Sequence, residues 1–92
     1  MDNLQNIKNI LNEKLKKHYD NYFVDNELRF KKKDGHVFTL STMVWDDEDI
    51  ILIEYGDSED TPRTQYSDGD LYYLSEMSVD KIFQEMLIEI EN

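Results

Sequence analysis

The sequence predicts an α+β fold: a four-stranded antiparallel meander sheet with an N-terminal and a C-terminal helix packed on one face, in the order α-β-β-β-β-α. Three observations carry this expectation. Apolar residues recur at helical spacing near both ends of the chain; short runs of β-branched and aromatic residues lie between them; and turn residues rich in Asp and Gly separate those runs. Ninety-two residues are too few to divide their apolar content between two useful cores, so residues 1–92 are read as a single domain. A net charge of −11 with 34% charged residues would by itself raise the question of disorder. The 39% hydrophobic content falls in periodic clusters, which decides for a folded chain.

The first helix is expected from Asp2 to about His18. Leu4, Ile7, Leu11, Leu15 and Tyr22 fall on one stripe, with Lys8, Lys14 and Lys17 off it. Lys14, Lys16, Lys17 and His18 sit where positive charge complements the helix dipole, so the basic cluster reads as a helix end rather than a phosphate site.

A hairpin follows, with strands Glu27–Lys32 and His36–Val44, and its register can be derived. A two-residue Asp34-Gly35 turn would put the apolar residues of the two strands on opposite faces. A three-residue loop, Lys33-Asp34-Gly35, pairs Phe30 with Phe38 and Leu28 with Leu40. It also places Gly35 at the left-handed position that a type I turn plus bulge requires. Because a one-residue slip reverses every side chain, the second register is expected.

The third strand, Asp49–Tyr55, is expected after a four-residue acidic loop, Asp46-Asp47-Glu48-Asp49. That loop pairs Trp45 with Ile50 and Met43 with Leu52, and sends Ile51, Ile53 and Tyr55 to the core face with Phe38 and Leu40. The outer face then carries an apolar patch of Met43, Trp45, Ile50 and Leu52; a five-residue loop would reverse the faces. Gly56 to Asp70 is polar and too long to lack structure, so a short strand at Arg63–Tyr66 is expected within it. The fourth strand is Asp70–Leu74. Ser78 caps the last helix, Met77 and Ile82 hold the positions of a hydrophobic staple, and Val79, Ile82, Phe83, Met86, Leu87 and Ile90 form its apolar stripe.

Composition excludes several kinds of chemistry. Without cysteine there is no disulfide framework, thiolate nucleophile or zinc ribbon. The start of the chain lacks a basic, apolar leader, and no apolar run is long enough to span a bilayer, so a cytoplasmic protein without membrane contact is expected. The serines lack a Gly-x-Ser-x-Gly elbow, and His18 and His36 lie at a helix end and beside a turn; no enzymatic activity is expected. Asp46–Asp49, Asp57-Ser58-Glu59-Asp60 and Asp68-Gly69-Asp70 offer oxygen ligands but follow no spaced metal-binding pattern. No metal, cofactor or phosphate cradle is expected. Lys31-Lys32-Lys33 beside Phe30 and Phe38 hints at nucleic acid, but those aromatics belong to the core and cannot stack on bases.

Charge is unevenly placed. Residues 1–45 carry eight Lys/Arg against six Asp/Glu, while residues 46–92 carry two, Arg63 and Lys81, against fifteen. A half this negative repels nucleic acid and anionic membrane and attracts basic protein surfaces. The candidate partner-binding residues are therefore Asp46, Asp47, Glu48, Asp49, Asp57, Glu59, Asp60, Asp68 and Asp70 as charge. Met43, Trp45, Ile50, Leu52, Tyr66 and Tyr72 are the candidate anchors. The competing account is that the carboxylates serve solubility alone.

The general type, small, acidic, aromatic-bearing and cysteine-free, is similar to nucleic-acid-mimicking inhibitors such as phage anti-restriction and anti-CRISPR proteins, and to toxin-immunity proteins. The likeness rests on type and carries no residue over. The implied partner is a protein with a basic surface, such as a nucleic-acid-handling enzyme. The alternative is a structural homodimer built on the exposed sheet face and the terminal helix.

Overall fold

The computed structural model describes residues 2–92, the side chains of Asp2 and Asp68 excepted. The elements are α1 (Asp2–Lys16), β1 (Asp20–Val24), β2 (Glu27–Lys31), β3 (Val37–Trp45), β4 (Glu48–Gly56), a 3-10 turn at Arg63–Gln65, β5 (Ser67–Tyr73) and α2 (Val79–Glu91). The strands form one antiparallel sheet in the order β1-β2-β3-β4-β5. The α+β class holds. The strand count does not: there are five, because Asp20–Val24 pairs with β2. Tyr22, expected on the helix stripe, lies in that extra strand.

Both helices pack on one face of the sheet. Leu11 and Leu15 of α1 and Ile82, Met86 and Ile90 of α2 are buried with Phe30, Phe38, Leu40, Ile51, Ile53 and Tyr72. The pairs Phe38–Tyr55, Leu40–Ile53 and Ile51–Tyr72 place those strand residues on a common side. α2 starts at Ser78, whose hydroxyl accepts a hydrogen bond from Lys81 N–H at 3.2 Å. Met77 packs against the core just before it, and Ile82 is fully buried, as a staple requires.

The first hairpin takes the derived register. Phe30 pairs with Phe38, their rings stacked at 5.2 Å, and Lys32 N–H donates to His36 C=O at 2.8 Å around the three-residue loop. Gly35 has a φ of 94°.

The next hairpin corrects the sequence. Its turn holds two residues, Asp46 and Asp47, not four, and Trp45 pairs with Glu48. Their φ values of 53° and 64° define a type I′ turn, the form that matches the twist of the flanking strands. Met43 therefore pairs with Ile50 and Ser41 with Leu52. The shift is two residues, an even number, so every side chain keeps its expected face.

Arg63–Tyr66 does not form a strand. Arg63–Gln65 is a single 3-10 turn, and β5 begins at Ser67, three residues earlier than expected. Between Leu52 and Glu54 the register slips against β5, leaving an extra residue around Gly69 and Asp70. A Cβ on Gly69 would lie 2.7 Å from the Ile53 carbonyl oxygen and closer still to the Tyr55 ring, so this bulge accepts only glycine without a shift of backbone.

Candidate docking surface

The face opposite the helices is not uniformly open. The segment between β4 and β5 folds back across one half of it as a strap. Arg63 holds the strap down: its Nε donates to Glu27 Oε2 at 3.2 Å, and its Nη2 donates to Glu54 Oε1 at 2.5 Å and to Ser41 Oγ at 3.2 Å. Ser41 in turn donates to Glu54 at 2.6 Å. Burial opposes the Glu54 charge, but the hydrogen bonds from Arg63 and Ser41 outweigh it and hold the carboxyl below the ordinary glutamate range. Arg29, buried beneath the strap, pairs with Glu27 at 3.3 Å.

Tyr66 ends the strap as its apolar seal. Both guanidinium groups lie against its ring, Arg29 at 5.4 Å and Arg63 at 5.2 Å from the centroid. A Cβ on Gly56 would come within 2.7 Å of that ring, so the close approach depends on glycine there. The Tyr22 hydroxyl faces Tyr66, and burial followed by that neighbour pushes its pKa up to about 12.

The uncovered half is an apolar ledge. Its rows follow from the pairing: Met43, Ile50 and Tyr73 in one, Ser41, Leu52 and Leu71 in the next. Three strands at about 4.8 Å spacing and two rows make a surface roughly 10 Å across. Ile50, only 1% exposed, forms its floor between Met43 and Tyr73. Trp45 stands at its end, 66% exposed, and Leu71 is exposed at its edge.

The acidic turn closes this end of the ledge. Asp46, Asp47 and Asp49 are exposed, and Glu48 accepts a hydrogen bond from Ser75 Oγ at 2.7 Å. Among the described residues, none of the four carboxylates lies within ion-pair distance of a Lys, Arg or His.

The remaining sequence candidates are scattered. Asp57, Glu59 and Asp60 sit on the strap beyond the opposite end of β4, where Glu59 pairs with Lys31 at 2.8 Å. Asp68 pairs with Glu54 across β4 and β5. Asp70 lies on the helix side, where burial and the Asp70 carboxylate together push the Glu89 carboxyl up. Tyr66 and Tyr72 are 8% and 5% exposed and belong to the interior, one under the strap and one in the core. The structure thus unites Met43, Trp45, Ile50 and Leu52 with Asp46, Asp47 and Glu48, with Asp49, opposite Val44, at the same end but on the helix side; it separates the rest. Sequence reasoning missed Leu71 and Tyr73: alternation from Ser67, opposite Tyr55, would put them on the helix side, and only the bulge around Gly69 and Asp70 sends them to the ledge.

Neither histidine adjoins a nucleophile-like arrangement: His18 packs on the Phe83 ring at 5.6 Å, and His36 Nδ1 lies 3.7 Å from Asp34. Among the described residues no His, Asp or Glu group converges to hold a metal ion, and no helix is long and apolar enough to cross a membrane. No protein-family model, curated protein or solved structure matches the chain.

Proposed function

We propose that this protein is a non-enzymatic binding module that docks, through the Trp45 ledge and its acidic rim, on the basic nucleic-acid-binding surface of a partner protein and inhibits it. The observation that carries the reading is one juxtaposition. A tryptophan two-thirds exposed stands at the end of an apolar ledge, beside four consecutive carboxylates without a described basic partner. An exposed aromatic anchor next to like charges is what a cationic, partly apolar surface complements: the rim steers and orients, and the anchor holds. The carboxylates on the strap and on α2 extend the negative field without entering the contact.

A solubilising role alone gives no reason for Trp45 to remain uncovered among them. Self-association through the ledge is opposed by the same rim, since two copies would bring eight like charges together. Inhibition of the anti-restriction or anti-CRISPR kind and neutralisation of a cationic toxin use the same surface and differ in the partner alone.

The test is capture of partners from the native host on the immobilised chain, with competition by duplex DNA and structured RNA. Trp45→Ala and the combined Asp46→Asn, Asp47→Asn, Glu48→Gln, Asp49→Asn variant serve as comparisons. The expected result is a partner lost with both variants, released by added salt, and displaced by nucleic acid. A partner retained equally by both variants, or indifferent to nucleic acid, refutes the reading.

A further inference from the structure

The two edges of the sheet are built differently. β5 is blunted in the ways that discourage strand pairing, with a bulge at Gly69 and acidic residues at Asp68 and Asp70. β1, Asp-Asn-Tyr-Phe-Val, has no bulge, proline or lysine, and its one charge, Asp20, sits at its end opposite Lys31. Phe23 on this edge is 65% exposed, beside a groove of about 370 Å³ between α1 and the β1–β2 hairpin.

The hydrogen-bonding phase of the edge can be derived. Asp25 and Asn26, with φ values of 52° and 66°, form a two-residue type I′ turn that closes on the pair Val24–Glu27. The closing pair of such a hairpin is hydrogen-bonded, and bonded and non-bonded pairs alternate from there. Val24, Tyr22 and Asp20 thus spend their backbone groups on β2. Asn21 and Phe23 point their N–H and C=O groups outward, and no turn or loop hydrogen bond uses them.

We infer that β1 pairs with β1 of a second copy, antiparallel about a two-fold axis at Tyr22, to give a continuous ten-stranded sheet. This register sets Asn21 opposite Phe23 of the second copy and Phe23 opposite its Asn21. Both are outward-bonding residues, so four backbone hydrogen bonds form. The two Phe23 rings become diagonal neighbours about 7–8 Å apart along the backbone, within reach of aromatic side chains. Centring the axis one residue either way sets one outward residue opposite itself and leaves the other facing the strand's end.

The phase of the edge selects a second copy: Asn21 and Phe23 flank Tyr22 symmetrically, so the outward backbone groups and the exposed Phe23 complement themselves about a two-fold axis. Charge permits the approach, because residues 1–33, which include α1, β1 and β2, carry eight Lys/Arg against five Asp/Glu, a far smaller imbalance than the two against fifteen of residues 46–92. A five-residue edge buries less than the roughly 1,200 Å² of a stable interface, so the dimer is weak and dissociates in the micromolar range or above.

Sedimentation of the full chain from low micromolar to millimolar concentration tests this. A concentration-dependent dimer is expected. Asn21→Pro removes an outward N–H that the monomer does not use and weakens the dimer by roughly 10–100-fold, two hydrogen bonds being lost per dimer. Phe23→Lys, at an exposed position, does so by charge without disturbing the fold, and decides the matter if the proline variant does not fold. Leu71→Lys on β5 leaves association intact, and Trp45 fluorescence does not change across the transition because the ledge stays uncovered. A chain that remains monomeric throughout overturns the inference. So does a dimer that Leu71→Lys or Trp45→Ala dissolves while Phe23→Lys does not, a result that would also count against the ledge as the surface for a basic partner; a persistent monomer leaves the ledge proposal standing on its own test.

Discussion

Replacing Arg63 with alanine should release the strap, and the cost can be worked from its contacts. Arg63 bonds to Glu54, Glu27 and Ser41, and covers one side of the Tyr66 ring. Hydrogen bonds to charged groups contribute about 1.5–3 kcal/mol when shielded from water. Only the Glu54 contact is well shielded, the Glu54 side chain being 15% exposed; Arg63 and Glu27 are each about one-third exposed, so their pair counts for much less. The expected loss is therefore about 2–3 kcal/mol including the packing on Tyr66. In a chain of this size that lowers Tm by about 10–20 °C. Thermal and denaturant unfolding followed by far-ultraviolet circular dichroism measure it. The pH dependence is a second readout. The Glu54 carboxyl is depressed in the fold, so its contribution is present above the ordinary glutamate pKa and disappears as pH falls through the folded value. The gap between wild type and Arg63→Ala should accordingly narrow as pH falls below the ordinary glutamate range. A loss below about 0.5 kcal/mol at neutral pH, the range of an ordinary surface substitution, refutes the assignment of Arg63 as the strap's anchor. A gap unchanged in acid refutes the role given to Glu54.

Three further outcomes follow from single residues. Gly69→Ala forces a Cβ against the Ile53 carbonyl and the Tyr55 ring, neither able to yield freely, and should cost about 1–3 kcal/mol in denaturant unfolding. Ser78→Ala removes the side-chain acceptor for Lys81 N–H at the start of α2 and should cost about 1 kcal/mol, while Ser78→Asp retains most of it. Glu89→Gln should raise the melting temperature at neutral pH. The Glu89 carboxyl is pushed up by burial and by Asp70, so its charged form is disfavoured in the fold, and the last turn of α2 adds the unfavourable end of the helix dipole. The gain should vanish in acid, where the wild-type carboxyl is itself neutral; a gain that persists there contradicts the cause.

Two of the failures of sequence reasoning share one physical origin. The hairpin closed by Gly35 was legible because glycine marks a left-handed position, and parity between Phe30 and Phe38 then fixed the register. Asp25-Asn26 and Asp46-Asp47 adopt the same left-handed region without glycine. Asn and Asp reach it at modest cost because their short side chains can bond locally, but they leave no comparable mark in the sequence. Missing the first turn hid β1, and Tyr22 was drawn into a helical stripe. Missing the second lengthened a loop by two residues. The ledge survived because the faces of a strand depend on parity alone, and the error was even. Arg63 was not legible as a clamp, since its partners Glu27, Ser41 and Glu54 come from three strands and meet only when the strap folds back.

The extra strand alters the meaning of the charge asymmetry. With a sheet in sequential order, the basic β1–β2 edge and the acidic β4–β5 edge lie at opposite ends of the sheet, although the strap brings Glu59 back to Lys31. The two surfaces use that polarity in different ways. The Trp45 ledge needs the acidic rim to select a basic partner and to keep copies of this chain apart. The β1 edge needs the absence of acid to let copies meet. Each condition would fail if the charges were spread evenly: a uniform charge would repel copies at β1 and dilute the field at the ledge. Pairing at β1 would also place two ledges toward the outer parts of one assembly. A partner with two basic sites at a matching span would then be held more tightly than by either ledge alone.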